Sequence, residues 1–161
     1  VTPEQLDAVL EVIVACPQHT FYMLTKQPHN IMAGLYEVTE AWPIRELGGG
    51  DIIPNLWIGA SVDTYARANQ TDIPMQAVAH AGWHTFVSAE PLLEFVDTAR
   101  FYWADWLIIG AMSGRNAAKH QPRRFWLDDM LHYAALKRLP VFLKDSITKL
   151  WPDMQRREWH T

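Results

Sequence analysis

Cysteine is almost absent from this sequence: among 161 residues the only one is Cys16. A single thiol excludes an intramolecular disulfide, and no cysteine-based metal or iron–sulfur site can be built from it. We therefore expect no cofactor from the residues of this chain alone. The composition fits a reducing, cytoplasmic setting.

Excess positive charge and long apolar runs are also lacking. The chain has 14 Lys and Arg against 18 Asp and Glu, a net charge of -4, which argues against nucleic acid as a partner. No apolar run approaches the roughly 20 residues of a membrane span, and no signal peptide opens the chain. We expect no association with membranes. Because the first residue is Val1, a longer parent protein is a further expectation.

Several enzyme motifs are missing as well. There is no Gly-rich phosphate loop with a following Lys-Ser/Thr, and no GxGxxG after the first predicted strand. In "GAMSG", Ser113 comes one position too late for a GxSxG nucleophile motif. The histidines at 84, 120 and 132 have no metal-ligand spacing, so we predict no metal site.

Apolar runs and tryptophan, which occurs eight times, are abundant. Short apolar runs predict strands over 20–26, 56–62, 84–90, 105–114 with its exit loop, and 140–145. Apolar periodicity predicts helices over 3–15, 29–42, 64–80 and 122–138, a helical turn over 92–98, and a loop over 45–55. Asp63 is the expected cap of the helix over 64–80, and Pro74 is expected to break or restart it.

This order of elements indicates the fold class. Strands that are apolar throughout and alternate with helices are typical of a parallel sheet covered by helices. We predict an α/β fold of about five strands, either a doubly wound open sheet or part of a (β/α) barrel. Residues 1–161 form one predicted domain, and the polar, aromatic segment 146–161 is expected to be a loosely attached tail.

Small or polar residues follow every predicted strand, where both architectures place their ligand sites. The candidates for ligand binding are Lys26, Ser61, Asp63, Ser88, Glu90, Ser113 and Lys144. If Lys26, Glu90 and Lys144 converge, a carboxylate between two ammonium groups would bind a polar, partly anionic ligand. The structural alternatives stay open: a solvated strand end or an ion pair for each Lys, a plain helix cap for Ser61 or Asp63, and a helix cap partner or a structural ion pair for Glu90.

Five strings in order carry a resemblance to a known family. They are "LTKQP", "PNLWIGASVD", "FVSAEPLL", "DWLIIGAMSG" and "LPVFLKD", and together they span most of the chain to about residue 145. The chain resembles a family of phage and prophage proteins of unknown function that are related to radical SAM enzymes. The resemblance implies the later strands of a (β/α)6-type partial TIM barrel and a phage or prophage gene expressed in the bacterial cytoplasm.

The sequence departs from that family in ways that bear on function. Members carry an upstream three-cysteine segment that binds a [4Fe–4S] cluster for cleavage of S-adenosylmethionine, and this chain has only Cys16. Ala89 stands where Cys is common, and Met112 where Glu is common. The first hypothesis is therefore a binding or inhibitory protein, for example against a host defence complex, with a protein partner or a second copy at an exposed sheet edge. The others are a fragment of a radical SAM enzyme, and a small-molecule binder or non-radical enzyme using the strand-end residues.

Overall fold

Helices and strands alternate along the chain in a computed structural model, which describes residues 2–31, 34, 52–115 and 117–160. The strands are β1 Phe21–Thr25, β2 Leu56–Ser61, β3 His84–Ala89, β4 Trp106–Ile109 and β5 Val141–Leu143. The α-helices are α1 Pro3–Ala15, α2 Tyr65–His80, α3 Arg124–Lys137 and α4 Asp145–Thr148. Short 3-10 helices cover Pro28–Asn30, Thr98–Phe101 and Ala117–Lys119. The helix predicted over 29–42 and the loop predicted over 45–55 fall largely outside the described residues.

The five strands form one parallel sheet in the order β1-β2-β3-β4-β5. A doubly wound sheet reverses its strand order at a switch point, and this sheet does not. Right-handed crossovers between strands in sequential order place the connecting helices on one face, as in a barrel. The predicted α/β class is confirmed, and the strand order is that of a partial barrel.

Side chains alternate between the two faces of the sheet, and each face has its own apolar cluster. On the covered face, Leu56, Ile58 and Ala60 of β2 join the helices in the main core. Trp57, Phe86 and Trp106 form a separate cluster on the opposite face, packed against Ile108 and Phe142. We call this opposite side the open face.

The helix α1 shows how closely local sequence fixes an element. Thr2 caps it, because its hydroxyl accepts from the Gln5 amide at 3.3 Å while the Gln5 side chain accepts from the Thr2 amide at 3.0 Å. The apolar stripe that predicts this helix is Leu6, Val9, Leu10 and Ile13. Leu10 and Ile13 are buried, whereas Val9 is 46% exposed. The bounds Pro3–Ala15 are those predicted.

Two predictions about α2 are wrong. The cap is Thr64 and not Asp63, since the Thr64 hydroxyl accepts from the Arg67 amide at 3.3 Å. The helix also continues through Pro74. Its buried positions fall on both sides of the proline, and packing of both halves against the core holds one helix despite the missing hydrogen bond. These positions are Ala68, Thr71, Met75 and Val78.

The helical turn predicted over 92–98 is also absent from the structure. The Leu92 amide donates to the Gly110 carbonyl at 2.9 Å, and the Leu93 amide donates to the Asp63 carbonyl at 2.9 Å. These backbone donors bind neighbouring strand ends, so they are not available to close a local turn. Leu92 and Val96 are nevertheless buried, which explains the apolar spacing that favoured a helix.

The helix α3 buries only part of its apolar residues. Leu127, Met130 and Ala134 are buried. Phe125 and Leu136 are 55% and 71% exposed. Among the described helices, none combines the length and apolar character needed to cross a bilayer.

The segment 146–161, which its composition predicts to be loosely attached, makes backbone hydrogen bonds with β5 in the structure. Leu143 donates to the Arg156 carbonyl at 2.8 Å, and Glu158 donates to the Val141 carbonyl at 2.9 Å. Phe142 and Arg157 form an antiparallel bridge. We call residues 156–160 the strap. Its pairing uses the free edge of β5, an interaction that polar composition does not encode.

Candidate functional site

Strand register arranges the side chains of the open face in rows. Ser61 of β2 lies level with Ser88 of β3, and Ser88 lies level with Ile108 of β4. Glu90, Gly110 and Lys144 follow one step further toward the carboxyl ends, because Gly110 donates to the Ala89 carbonyl at 3.0 Å and Lys144 donates to the Ile109 carbonyl at 2.9 Å. The charged groups thus stand at the end of the sheet where parallel α/β folds place their ligands.

Glu90 crosses β4 to reach Lys144, and Gly110 makes the crossing possible. A Cβ added at Gly110 would lie 2.8 Å from Glu90 Cγ and 2.9 Å from Cδ, closer than carbon atoms pack. The Glu90 side chain passes over Gly110, and its carboxylate forms an ion pair with the Lys144 amine. The predicted approach of Glu90 and Lys144 is therefore present in the structure, and both side chains retain solvent exposure, 31% and 42%.

The ion pair lines a cleft of about 600 Å³, which we call the rim cleft. Ser113, also predicted as a site residue, is in its wall. The other lining residues come from loops, α4 and the strap: Met112, Gln121, Phe142, Asp145, Ser146, Lys149, Leu150 and Arg157.

The charged side chains of the rim cleft form two ion pairs, and one further cationic side chain lies beside them. Arg157 of the strap forms an ion pair with Asp145, as Lys144 does with Glu90. Lys149 adds a further positive charge, and among the described residues it forms no ion pair. The cleft therefore carries three cationic and two anionic side chains.

Two polar groups of the wall are held by backbone contacts. The Ser146 hydroxyl accepts from the Ala111 amide at 3.0 Å. The Gln121 amide nitrogen donates to the carbonyls of Met112 at 3.1 Å and Ala117 at 2.6 Å. This fixes the amide so that Gln121 Oε1 is the remaining acceptor, which is buried and accepts no hydrogen bond from any residue that the structure describes.

Ser61 and Ser88 lie one row below the rim and are buried, each 4% exposed. They are adjacent across β2 and β3, as the register shows, but they are not part of the rim-cleft wall. The structure thus brings these two predicted residues together at a distance from the Glu90–Lys144 pair.

Asp63 and Lys26 lie apart from the cleft. The Asp63 carboxylate pairs with Arg67 at 3.2 Å, and Arg67 also donates to the Lys26 carbonyl at 3.0 Å. The expected convergence of Lys26 on Glu90 is not seen: Lys26 follows β1, Glu90 follows β3, β2 lies between them, and Lys26 does not line the cleft. Within the described residues Lys26 makes no ion pair.

Several residues of the cleft belong to no motif in the sequence. Gln121 and Lys149 lie in segments without a motif, and Arg157 reaches the site only because the strap pairs with β5. Their charges and amides are ordinary surface chemistry when read along the chain. Within the described ranges, no three His, Cys, Asp or Glu side chains lie together as metal ligands would.

Comparison with known proteins places the chain in a family. A family model described as "Protein of unknown function (DUF5131)" matches residues 1–158. No curated protein and no solved structure is significantly similar to this chain. Since the family model matches nearly the whole sequence, the chain belongs to the DUF5131 family of proteins of unknown function.

Proposed function

We propose that this protein binds a small polar molecule with an anionic group in the rim cleft. The observation that carries the proposal is the Glu90–Lys144 pair, set across Gly110 at the carboxyl ends of the strands and open to a cleft of about 600 Å³. A volume of this size is typical of small-molecule sites.

The ion pair is better explained by binding than by stability. Both partners are partly exposed, and such pairs contribute about 0–1 kcal/mol to folding. Glycine at position 110, directly after β4, gives Glu90 its path, and glycine loses more backbone entropy on folding than any other residue. The two contributions offset each other, so the arrangement gives the fold little net stability.

The charges of the cleft indicate the ligand class. Lys149 adds an unbalanced positive charge, which favours a carboxylate or phosphate group. The partly exposed Glu90 carboxylate can accept hydrogen bonds, so the ligand should also carry N–H or O–H donors. An amino acid or a hydroxylated phosphate ester has both kinds of group.

The test is a thermal-shift screen of small carboxylates, amino acids and phosphate esters, followed by calorimetric titration of each compound that raises Tm. Glu90→Gln and Lys144→Gln should abolish the ligand-induced shift. Arg124→Gln is the control, because it also removes ion pairs with carboxylates, those of Asp128 and Asp153, but lies outside the cleft. Equal ligand binding by wild type, Glu90→Gln and Lys144→Gln would sink the proposal.

For the origin of the family, we propose relation to radical SAM enzymes and a phage or prophage source, on the five sequence strings and the sequential parallel sheet. The residues of this chain do not fit a [4Fe–4S] cluster: the single thiol, Cys16, follows α1 before β1, away from the rim. Sequencing the coding region upstream tests for a fragment. An in-frame CxxxCxxC string would favour the enzyme hypothesis, with S-adenosylmethionine and a cluster as cofactors.

The edge of β1 supports a second candidate function, association with a protein partner or a second copy of the chain. Within the described sheet β1 pairs only with β2, and exposed apolar side chains border it: Val9, Val12, Tyr22 and Leu24. Open strand edges with apolar borders favour pairing. Light scattering of the purified protein tests this: a dimer that Leu24→Lys converts to a monomer supports it, and a wild-type monomer at all concentrations contradicts self-association.

A further inference from the structure

The open face holds a ring in an aromatic cage at the end opposite the rim. The His160 imidazole stacks on the Trp57 indole, with centroids 3.7 Å apart and planes at 28°. Trp106 meets the same imidazole edge-on at 5.2 Å and 75°. The Tyr22 hydroxyl closes the third side with a hydrogen bond of 2.5 Å to His160 Nε2. Three rings thus enclose one heterocycle and supply a hydrogen bond to its nitrogen.

The backbone of the strap delivers His160 to this cage. Two backbone hydrogen bonds align the strap antiparallel to β5, and the Glu158 carboxylate accepts from the Val141 amide at 3.0 Å. The Trp106 indole N–H donates to the Glu158 carbonyl at 3.0 Å, and Trp159 packs on Phe142 with centroids 5.2 Å apart. The occupant of the cage is therefore held by a short peptide segment in extended form.

We propose that Tyr22, Trp57 and Trp106 form a binding site for a flat, neutral nitrogen heterocycle of imidazole size, and that His160 is its intramolecular occupant. An external ligand of this class, or an extended segment carrying histidine, competes with the strap for the cage. Displacement of the strap uncovers Trp57, Phe86 and Trp106. No cage residue lines the rim cleft, but Arg157 of the strap does, so displacement of the strap also affects the Arg157–Asp145 pair in the cleft wall.

Two opposing effects determine whether the His160 imidazole is neutral or protonated. Aromatic faces attract cations, which would favour imidazolium. Burial, and after it the nearby His84, lower the pKa of His160, so the neutral ring is the form held. Burial raises the pKa of Tyr22, which therefore keeps its proton and can donate to an unprotonated Nε2.

The groups around the imidazole come from four strands and the strap. β1 contributes Tyr22 and β3 contributes His84, the titratable neighbours, whereas β2 and β4 contribute the indoles of Trp57 and Trp106. On the strap, the Glu158 carboxylate is bound by Arg156 and by the Val141 amide. Among the described side chains, the His84 imidazole is the charged group that acts on His160, and the hydrogen bond with Tyr22 sets the orientation of the ring.

Chemical rescue in the full chain tests the proposal. His160→Ala empties the cage, and millimolar imidazole should then raise Tm by roughly 3–6 °C at ten times its Kd, since a ligand that binds only the folded state stabilises it. Wild type should show no such shift, because the cage is filled. His132→Ala is the matched control, as it removes an exposed imidazole from α3.

The pH dependence of the rescue discriminates between the charge states. Rescue should grow from pH 5.5 to pH 8, where free imidazole becomes neutral. Absence of rescue in His160→Ala, an equal shift in His132→Ala, or stronger rescue at pH 5.5 would each overturn the proposal. Should His160→Ala fail to fold, NMR of the wild type replaces it: the His160 ring protons must be shifted upfield by Trp57, and unshifted signals contradict the cage.

Discussion

Gly59→Ala is the sharpest perturbation of the open face. A Cβ at this position would lie 2.3–2.5 Å from three ring carbons of Phe86, whereas carbons pack at about 3.5–4.0 Å. Phe86 is 3% exposed, and its ring lies between those of Tyr22 and Trp106. The ring centroids are 5.8 Å and 6.0 Å from that of Phe86. The ring cannot withdraw without disturbing these neighbours. We expect a loss of about 1–3 kcal/mol in the free energy of unfolding, the usual cost of overpacking.

Urea denaturation measures this loss, and near-UV circular dichroism reports the rearranged tryptophans. A double-mutant cycle with Phe86→Leu identifies the cause: the smaller side chain leaves room for the methyl group, so the coupling should be about 0.5–3 kcal/mol. Gly114→Ala is the control, since no atom lies within 4 Å of its added Cβ and only its φ of 84° is strained. Additive costs in the cycle, or a stability of Gly59→Ala equal to wild type, would refute the packing argument.

Other predictions concern the loops and the strap. Asn55→Ala should destabilise the fold by about 1–3 kcal/mol in urea, because its amide nitrogen lies 3.0–3.2 Å from the carbonyls of Ile13, Cys16 and His19 and joins α1 to the start of β2. An effect near zero would show that water replaces these bonds. The depressed pKa of His160 implies that stability is complete above the unfolded-state pKa of about 6.5 and falls as pH drops through the lower folded-state pKa. Urea titrations at several pH values should show this decline in wild type and its reduction in His160→Gln; identical profiles would contradict it.

Local sequence predicted most elements of this fold because their signals are local. Thr2, Pro3 and the apolar stripe fix α1 to within its observed bounds, and continuous apolar runs locate all five strands. The failures have a common cause. Pro74, Asp63 and the segment 92–98 were interpreted by their own propensities, whereas packing on the sheet and hydrogen bonds to neighbouring strand ends decide their conformation.

The residues of the candidate site likewise separate into those that the sequence predicted and those that it did not. Glu90, Ser113 and Lys144 follow strands, so the rule for carboxyl ends of parallel strands located them, and Glu90 and Lys144 do meet. Lys26 follows the same rule but lies at the far edge of the sheet, and the order of strands is not readable from one strand. Gln121, Lys149 and Arg157 carry no pattern that would have selected them.

By itself the sequence determined the alternating elements, the parallel α/β class and the residues at the strand ends, because these depend on apolar periodicity and on chain order. Only the tertiary structure decided that Glu90 passes over Gly110 to Lys144, that the strap pairs with β5, and that His160 fills the cage of Tyr22, Trp57 and Trp106. Those contacts join residues as far as 138 positions apart. They depend on strand order and on the space that glycines leave, neither of which is a local property of the chain.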